Sequence, residues 1–224
     1  MKCVLASRGF INENIIFNKG IIINTMIEFS NNADIVIFGE AFLQGFYGIT
    51  FDVEHDNKLA ITQNDCIIKD ICSIARKYRI AVSFGFIEKL EDIFYSSQIT
   101  INSKGNVIDL YRRVSSGWKE SFANEKYCEG KGFHTFSFMG RKIVVGLCGD
   151  LWLDTNVDEV KQLQPDIVFW PVYTDFNYKE WNETIKYEYA IQASRICNKV
   201  LYVNSFCLRA IHNNGDGKAA SKPV

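Results

Sequence analysis

The chain has 224 residues, of which 47% are hydrophobic and 23% are charged, so it is long and apolar enough to bury a globular core. Its net charge of -1 offers no basic surface for nucleic acid and no charged block for a membrane surface. The first residues have too short an apolar run for a signal peptide, and no stretch reaches the roughly 18 apolar residues of a membrane span. We expect one domain over residues 1–224, with neither nucleic acid nor membrane as a partner.

The predicted elements alternate between strand and helix. In chain order they are a strand over 2–6, an amphipathic helix over 14–29, a buried strand over 34–38, a helix over 59–78, a strand over 80–87, a hairpin of strands over 93–101 and 107–111, strands over 133–138 and 142–147, a buried strand over 166–170, a helix over 181–197 and a strand over 200–204. Helices large enough to cover a sheet recur, which predicts a layered α/β architecture. The polar tail from His212, about the last 12 residues, is predicted to be mobile.

Seven cysteines are scattered along the chain, and no two form a Cys-x-x-Cys pair. The odd number and the spacing argue against a disulfide framework or a zinc site. They favour a reducing, cytoplasmic setting with no metal. Several of these cysteines are interpreted as small buried hydrophobic residues.

Cys148 has the most informative position of the seven. The apolar run 143–145 leads into Gly146-Leu-Cys-Gly149 and then turns polar, as a buried strand does when it ends in a tight turn. A thiol presented there is a candidate nucleophile, provided that a base or a positive charge lies nearby. Asp150 could cap the turn and leave backbone N–H groups near the sulfur. The alternative is a buried strand-end cysteine with no chemistry.

Two other segments also place polar side chains directly after strands. Glu40 follows the buried strand over 34–38, and ligands of open α/β sheets gather at that edge, where partial burial would suit a general base. Arg112, Arg113 and Lys119 follow the strand over 107–111 and could stabilise an oxyanion. The alternatives are a capping carboxylate and a solvated basic turn.

The order Glu, then Lys or Arg, then Cys, each at a strand end, resembles the nitrilase superfamily, the carbon–nitrogen hydrolases. The resemblance runs from residue 2 to about residue 204 and rests on the segments 33–40, 105–113, 125–130, 146–150 and 165–171. It implies a four-layer α-β-β-α sandwich in homodimers or larger homo-oligomers, with the helix over 181–197 similar to the one used for dimer packing.

The resemblance also implies roles for individual residues. Glu40 corresponds to the general base, Cys148 to the nucleophile that forms a thioester, and Glu125 to a second glutamate that orients the substrate amine and the lysine. Where the usual motif has a lysine, this chain has Arg113, which keeps the charge but cannot share its proton. We therefore favour Lys119 slightly for that role, although direct alignment favours Arg113.

Further residues bear on the substrate and on the length of the fold. Trp152 and Tyr173 belong to an aromatic cluster that could line a pocket for a small acyl group, or could instead be core or subunit interface. Relatives normally continue with further strands beyond residue 204, so the fold is expected to be C-terminally truncated.

The resulting hypothesis is a hydrolase of a non-peptide C–N bond in a small amide or N-carbamoyl compound, working through a cysteine thioester without metal or organic cofactor. One alternative is a catalytically impaired binding or regulatory protein on the same scaffold, motivated by Arg113 and the short C-terminus. Another is a true nitrile hydrolase, which would use the same residues in a differently shaped pocket. The sequence does not name the substrate.

Overall fold

The computed structural model describes residues 1–208. Its strands are β1 (Cys3–Leu5), β2 (Gly9–Phe10), β3 (Ile35–Ile37), β4 (Ala81–Leu90), β5 (Ile93–Ile101), β6 (Val107–Arg112), β7 (Thr135–Phe138), β8 (Arg141–Val145), β9 (Ile167–Tyr173) and β10 (Val200–Cys207). Its helices are α1 (Ile15–Phe29), α2 (Val53–Leu59), α3 (Cys66–Tyr78), α4 (Asp154–Gln162), α5 (Tyr178–Glu180) and α6 (Lys186–Ile196), with a π-helical turn over Trp181–Ile185 between the last two.

The strands form two five-stranded sheets. Sheet one has the order β1-β3-β4-β5-β6, and sheet two has the order β2-β10-β9-β8-β7. Strands β1, β3 and β4 run parallel, as do β8, β9 and β10, so several strands of each sheet end at a common edge. Apart from β2, residues before 113 build sheet one and residues after 134 build sheet two.

Helices cover the sheets in two groups. Ile22 and Met26 of α1 share a buried cluster with Ile68 and Ile71 of α3 and with residues of sheet one. A second cluster joins both sheets to helices α4 and α6, which contribute residues such as Val157. The predicted four-layer α-β-β-α sandwich is confirmed.

The prediction of one long helix over 59–78 is wrong at its start. Residues 60–65 leave the helical path, because Ile61 bridges to Glu88 of β4 and the Asp65 side chain accepts the N–H of Ile67 to begin α3. The separate helix α2 precedes this break. Helix α4 and strand β2 were not predicted. The tail that is predicted to be mobile lies outside the described residues.

The two sheets approach each other closely just before Glu40. A Cβ on Gly39 would lie 2.6 Å from the carbonyl oxygen of Val172, so only glycine permits this backbone contact. The amide of Glu40 donates to that same carbonyl at 3.2 Å, and the amide of Gly39 donates to the Ser205 hydroxyl at 3.3 Å. The carboxyl end of β3 is thereby fixed against β9 and β10 of sheet two.

Candidate active site

Three strand ends meet at this contact between the sheets. Glu40 follows β3, Arg113 follows β6, and Cys148 follows β8 and opens a short 3₁₀ turn over Cys148–Trp152. The structure therefore brings together a carboxylate, a guanidinium and a thiol that lie as far as 108 positions apart in the sequence.

Glu40 is fully buried, and only one of its two carboxylate oxygens accepts hydrogen bonds in the described part of the chain. Its Oε1 accepts hydrogen bonds from the Ser96 hydroxyl at 2.9 Å and from Nη1 of Arg113 at 2.8 Å. Its Oε2 has no hydrogen-bond partner within residues 1–208. A buried polar atom without a partner is costly, and a catalytic role is one reason why a native structure keeps one.

Arg113 is held by several contacts. Besides the pair with Glu40, its Nε donates to the Ser115 hydroxyl at 2.9 Å. Its Nη2 lies so close to Gly149 that a Cβ there would stand 2.7 Å away, and a Cβ on Gly117 would stand 3.1 Å away. The guanidinium thus lies against the backbone of the residue that follows the cysteine. Burial alone would lower the pKa of the Arg113 guanidinium, but nearby negative charges, of which Glu40 has the largest effect, raise it above its ordinary value. The side chain therefore stays charged.

Cys148 has a backbone φ of 43°, a left-handed conformation that is uncommon for a residue with a side chain. The conformation is held in place because the Trp170 indole N–H donates to the Cys148 carbonyl at 2.9 Å and the Cys148 thiol lies 3.8 Å from the Tyr173 carbonyl. Burial, together with the charge of Glu40, raises the pKa of the thiol to about 12, although the charge of Arg113 opposes this rise. The resting sulfur therefore holds its proton at neutral pH.

Asp150 connects the cysteine turn to the arginine segment. Its carboxylate is buried and accepts four hydrogen bonds, which come from the N–H of Leu147 at 2.9 Å, the Tyr111 hydroxyl at 2.7 Å, the N–H of Val114 at 3.1 Å and the N–H of Ser115 at 2.7 Å. The capping role expected of Asp150 is present. One carboxylate thus sets the turn that carries the thiol and the segment that carries the guanidinium.

Lys119 lies apart from this cluster. Its amine donates to the Tyr127 carbonyl at 2.9 Å and pairs with Glu129 at 2.6 Å. No hydrogen bond or ion pair joins it to Glu40 in the described part of the chain. Of the two cations considered for the lysine role, Arg113 is the one that contacts the carboxylate; the role itself stays a prediction.

The predicted substrate-binding residues are distributed unevenly. Glu125 is exposed, and its backbone carbonyl accepts from the Cys128 thiol. Tyr173 is buried next to Cys148 through its carbonyl, and its ring stacks on Phe46 at 5.0 Å. Trp152 is 40% exposed and packs edge-on against Tyr189 at 4.9 Å. Tyr173 therefore lies beside the cysteine turn and Trp152 ends it, while no contact joins Glu125 to Cys148 in the described part of the chain.

Several residues of the site have no signal in the sequence. Ser96 lies within the regular strand β5, Ser115 in the turn after β6, and Trp170 within the buried strand β9. Their roles depend on sheet register, which pairs Ser97 of β5 with Arg112 of β6 and so brings Ser96 beside Arg113. The glycines at 117 and 149 could have drawn attention, since each permits a close approach.

Two searches of the described residues gave negative results. Within residues 1–208, no three His, Cys, Asp or Glu side chains gather in a way that could hold a metal ion. None of the helices found there combines the length and the apolar character that crossing a membrane requires.

A model of the carbon–nitrogen hydrolase family matches residues 21–200. An (R)-stereoselective amidase from Pseudomonas sp is 22% identical over 152 residues, which are 68% of this chain and 53% of that protein. The chain thus spans about half the length of that curated relative.

Solved structures resemble the fold over most of the chain. A mutant of the amidase from Nesterenkonia sp. AN1, with acrylamide added to its active-site cysteine, is 14% identical and aligns with a TM-score of 0.71 over 92% of this chain and 78% of that one. A glutamine-dependent NAD+ synthetase from Acinetobacter baumannii is 21% identical, with a TM-score of 0.70 over 91% of this chain and 38% of that one. At these identities the likeness concerns the fold.

Proposed function

Since this chain belongs to the carbon–nitrogen hydrolase family of the nitrilase superfamily, we propose that it hydrolyses a small linear amide or N-carbamoyl compound through a thioester on Cys148. The observation that carries the proposal is the unpartnered Oε2 of the buried Glu40, in a cluster whose thiol is protonated at rest. A carboxylate oxygen with no hydrogen-bond donor and a thiol that holds its proton are the two partners that a general-base step requires.

In the acylation step, Glu40 accepts the proton of the Cys148 thiol while the sulfur attacks the carbonyl carbon of the substrate. The carbonyl π electrons move to oxygen, and the oxyanion is held by Arg113 and by a backbone N–H of the cysteine turn. Glu40 then gives its proton to the nitrogen, the C–N bond breaks, and ammonia or an amine leaves. The product of this step is a thioester.

In the deacylation step, Glu40 accepts a proton from water, and the hydroxide oxygen attacks the thioester carbon. The C–S bond breaks, the sulfur takes the proton back from Glu40, and the acid leaves. The balance is one water consumed for one C–N bond broken, and neither a metal nor an organic cofactor takes part. Because an arginine does not release its proton at working pH, Glu40 alone carries every proton in this scheme.

The assembly and the setting are also proposals. Tyr178, Tyr187 and Ile191 are large apolar side chains of α5 and α6 that are 57–66% exposed, and they support a homodimer that packs through these helices. Free thiols, which are typical of proteins in a reducing compartment such as the cytoplasm, are found at Cys3, Cys66, Cys72, Cys128, Cys148 and Cys197. No membrane or nucleic acid is part of the proposal.

The test is intact mass spectrometry after brief incubation with a panel of simple amides, N-carbamoyl amino acids and nitriles. We expect a mass increase equal to the acyl group in the native protein and in Cys66→Ala, whose thiol is exposed and distant in sequence. We expect no adduct in Cys148→Ala, with circular dichroism confirming that it is folded. The reactive compound in the panel names the acyl class and separates amide from nitrile chemistry.

The proposal fails if the adduct persists in Cys148→Ala. It also fails if the folded native protein gives neither adduct nor turnover across the panel, a result that would favour a binding protein on this scaffold.

A further inference from the structure

A cavity of about 400 Å³ lies away from the cysteine turn. Its side-chain lining comprises Gln63, Tyr95, Leu110, Arg112, Glu129, Lys131 and His134. It adjoins Arg112 rather than Arg113, and successive residues of an extended segment point to opposite faces. Cys148 does not line it, so the cavity is separate from the site described above.

The Arg112 side chain is built rigidly into the cavity wall. Its Nε and Nη2 form a bidentate pair with the buried carboxylate of Glu88, at 2.7 Å each, and the guanidinium lies 4.3 Å from the centre of the Tyr95 ring. Glu88 is itself held by Ser97 at 2.7 Å and by Gln63 at 3.0 Å. Nη1 of Arg112 has no hydrogen-bond acceptor among residues 1–208, and the side chain is 26% exposed.

Most charged groups around the cavity are paired with an opposite charge. Arg112 is balanced by Glu88, and Glu129 is balanced by Lys119 at 2.6 Å. The exposed Lys131 has no carboxylate within 4.0 Å in the described part of the chain. Nε2 of His134 donates to the Asp109 carboxylate at 2.8 Å, and that hydrogen bond raises the pKa of the imidazole. When His134 is protonated its pair with Asp109 is neutral as well, and Lys131 is then the lining cation that has no carboxylate within 4.0 Å among residues 1–208. The carboxylate of Glu159, which accepts the N–H of Phe133 at 3.0 Å, lies next to the loop and offsets part of this charge.

The loop that closes the cavity is shaped by two glycines. A Cβ on Gly130 would lie 2.3 Å from the Arg112 carbonyl, and the Gly130 amide donates to the Arg113 carbonyl at 2.8 Å. Gly132 has a φ of 147°. The amides of Lys131 and Gly132 have no acceptor within residues 1–208, so they remain available next to the cationic side chains. Free N–H groups beside a guanidinium are the usual donors for a small anion.

We propose that this cavity binds a small anion with a carboxylate or phosphate group, held by Nη1 of Arg112, the Lys131 ammonium, His134 and the amides of loop 131–132. The site lies on the opposite face of the segment that carries Arg113. It goes beyond the proposed hydrolysis and does not depend on it, because binding is measured without turnover.

The test measures binding of inorganic phosphate and of succinate by calorimetry at constant ionic strength, with chloride as the balancing anion. In parallel, the imidazole resonances in two-dimensional NMR show where the anion binds, because His134 lines the cavity and His55 does not. We expect saturable binding of at least one anion, with shifts at His134 and none at His55. Binding of phosphate but not of succinate, or the reverse, identifies whether the site prefers a phosphate or a carboxylate group.

Variants separate the cavity from general surface charge. Lys131→Gln should weaken binding about tenfold, the loss of one charge-assisted contact, whereas Lys104→Gln, an exposed lysine at the distant β5–β6 turn, should leave it unchanged. His134→Gln supplies a second variant that does not disturb the Glu88 pair. The proposal is overturned if neither anion saturates, if His55 shifts as much as His134, or if the two lysine variants weaken binding equally.

Discussion

Two consecutive arginines, Arg112 and Arg113, each pair with a buried glutamate, and the two pairs are built differently. Glu88 is fully satisfied: both oxygens accept from Arg112, and each accepts one more bond, from Ser97 or from Gln63. Glu40 accepts a single bond from Arg113 and one from Ser96, all on the same oxygen, and the other oxygen has no partner within the described residues.

The difference shows how one kind of ion pair can serve two purposes. A bidentate pair with every lone pair engaged has nothing left to react with, and it fixes β4, β5 and β6 relative to one another. A pair that leaves one oxygen open, beside a protonated thiol, keeps a proton acceptor in a water-poor site. Charge and burial are similar in the two carboxylates, so the number of hydrogen bonds distinguishes them.

The largest expected effect is a difference in acylation rate between variants of Glu40 and of Glu88. On the amide that acylates the protein, Glu40→Gln should lower the acylation rate by about 10²–10⁴-fold, because the amide cannot accept the thiol proton. Glu88→Gln should leave the rate of the folded protein near that of the native protein. Stopped-flow or quenched mass spectrometry measures both rates. Equal losses in the two variants would refute the assignment of Glu40 as the base.

The second prediction compares the effects of Arg113 and Lys119 on kcat. Arg113→Met should lower kcat by about 10²–10³-fold, the usual cost of losing one oxyanion donor, and Arg113→Lys should lose less because it keeps the charge. Lys119→Met should change kcat little, since its amine pairs with Glu129. Steady-state kinetics on the three variants decides the matter. A larger loss in Lys119→Met than in Arg113→Met would give the role to Lys119.

The smallest effect concerns stability and pH. Burial raises the pKa of Glu88, but hydrogen bonds from Arg112, Ser97 and Gln63 outweigh it and leave the pKa below its usual value. A lowered folded-state pKa stabilises the protein above the unfolded pKa of about 4.3, and this contribution disappears as the pH falls through the folded pKa. Glu88→Gln should therefore cost about 2 kcal/mol at pH 7, and less below pH 4.

Urea unfolding at pH 7, 5 and 3.5 measures this difference in the free energy of unfolding. Glu183→Gln, at an exposed position, serves as the matched control and should show no such dependence. A gap between native protein and Glu88→Gln that stays constant from pH 7 to pH 3.5 would contradict the lowered pKa.

Sequence reasoning anticipated the positions of the candidate residues that follow strands, while their catalytic roles stay predictions. Glu40 and Cys148 each follow a buried apolar run, and in a parallel sheet such runs end at one edge. It slightly favoured Lys119 over Arg113, whereas in the structure Arg113 contacts Glu40. The two residues lie six positions apart with a 3₁₀ turn between them, so the direction of each side chain depends on tertiary contacts. Ser96 lies in the middle of a strand, where alternation gives the face but not the partner across it.

The secondary structure was also predicted in part. Strand β5 was predicted with its observed limits, whereas the helix expected from residue 59 begins at Cys66, since a bridge to β4 draws Ile61 out of the helical path. Helix α4 was missed. Its apolar positions, such as Val157 and Val160, are few among charged residues, and packing on sheet two stabilises it.

The glycine contact at residue 39 has a consequence for biosynthesis. Glu40 and Arg113 follow strands of sheet one and Cys148 follows a strand of sheet two, and the thiol becomes their neighbour only after the backbone that follows β3 meets β9. On the proposed mechanism, a nascent or half-folded chain would hold the Cys148 thiol without the Glu40 carboxylate that accepts its proton. Thioester formation would then require completed docking of the two segments.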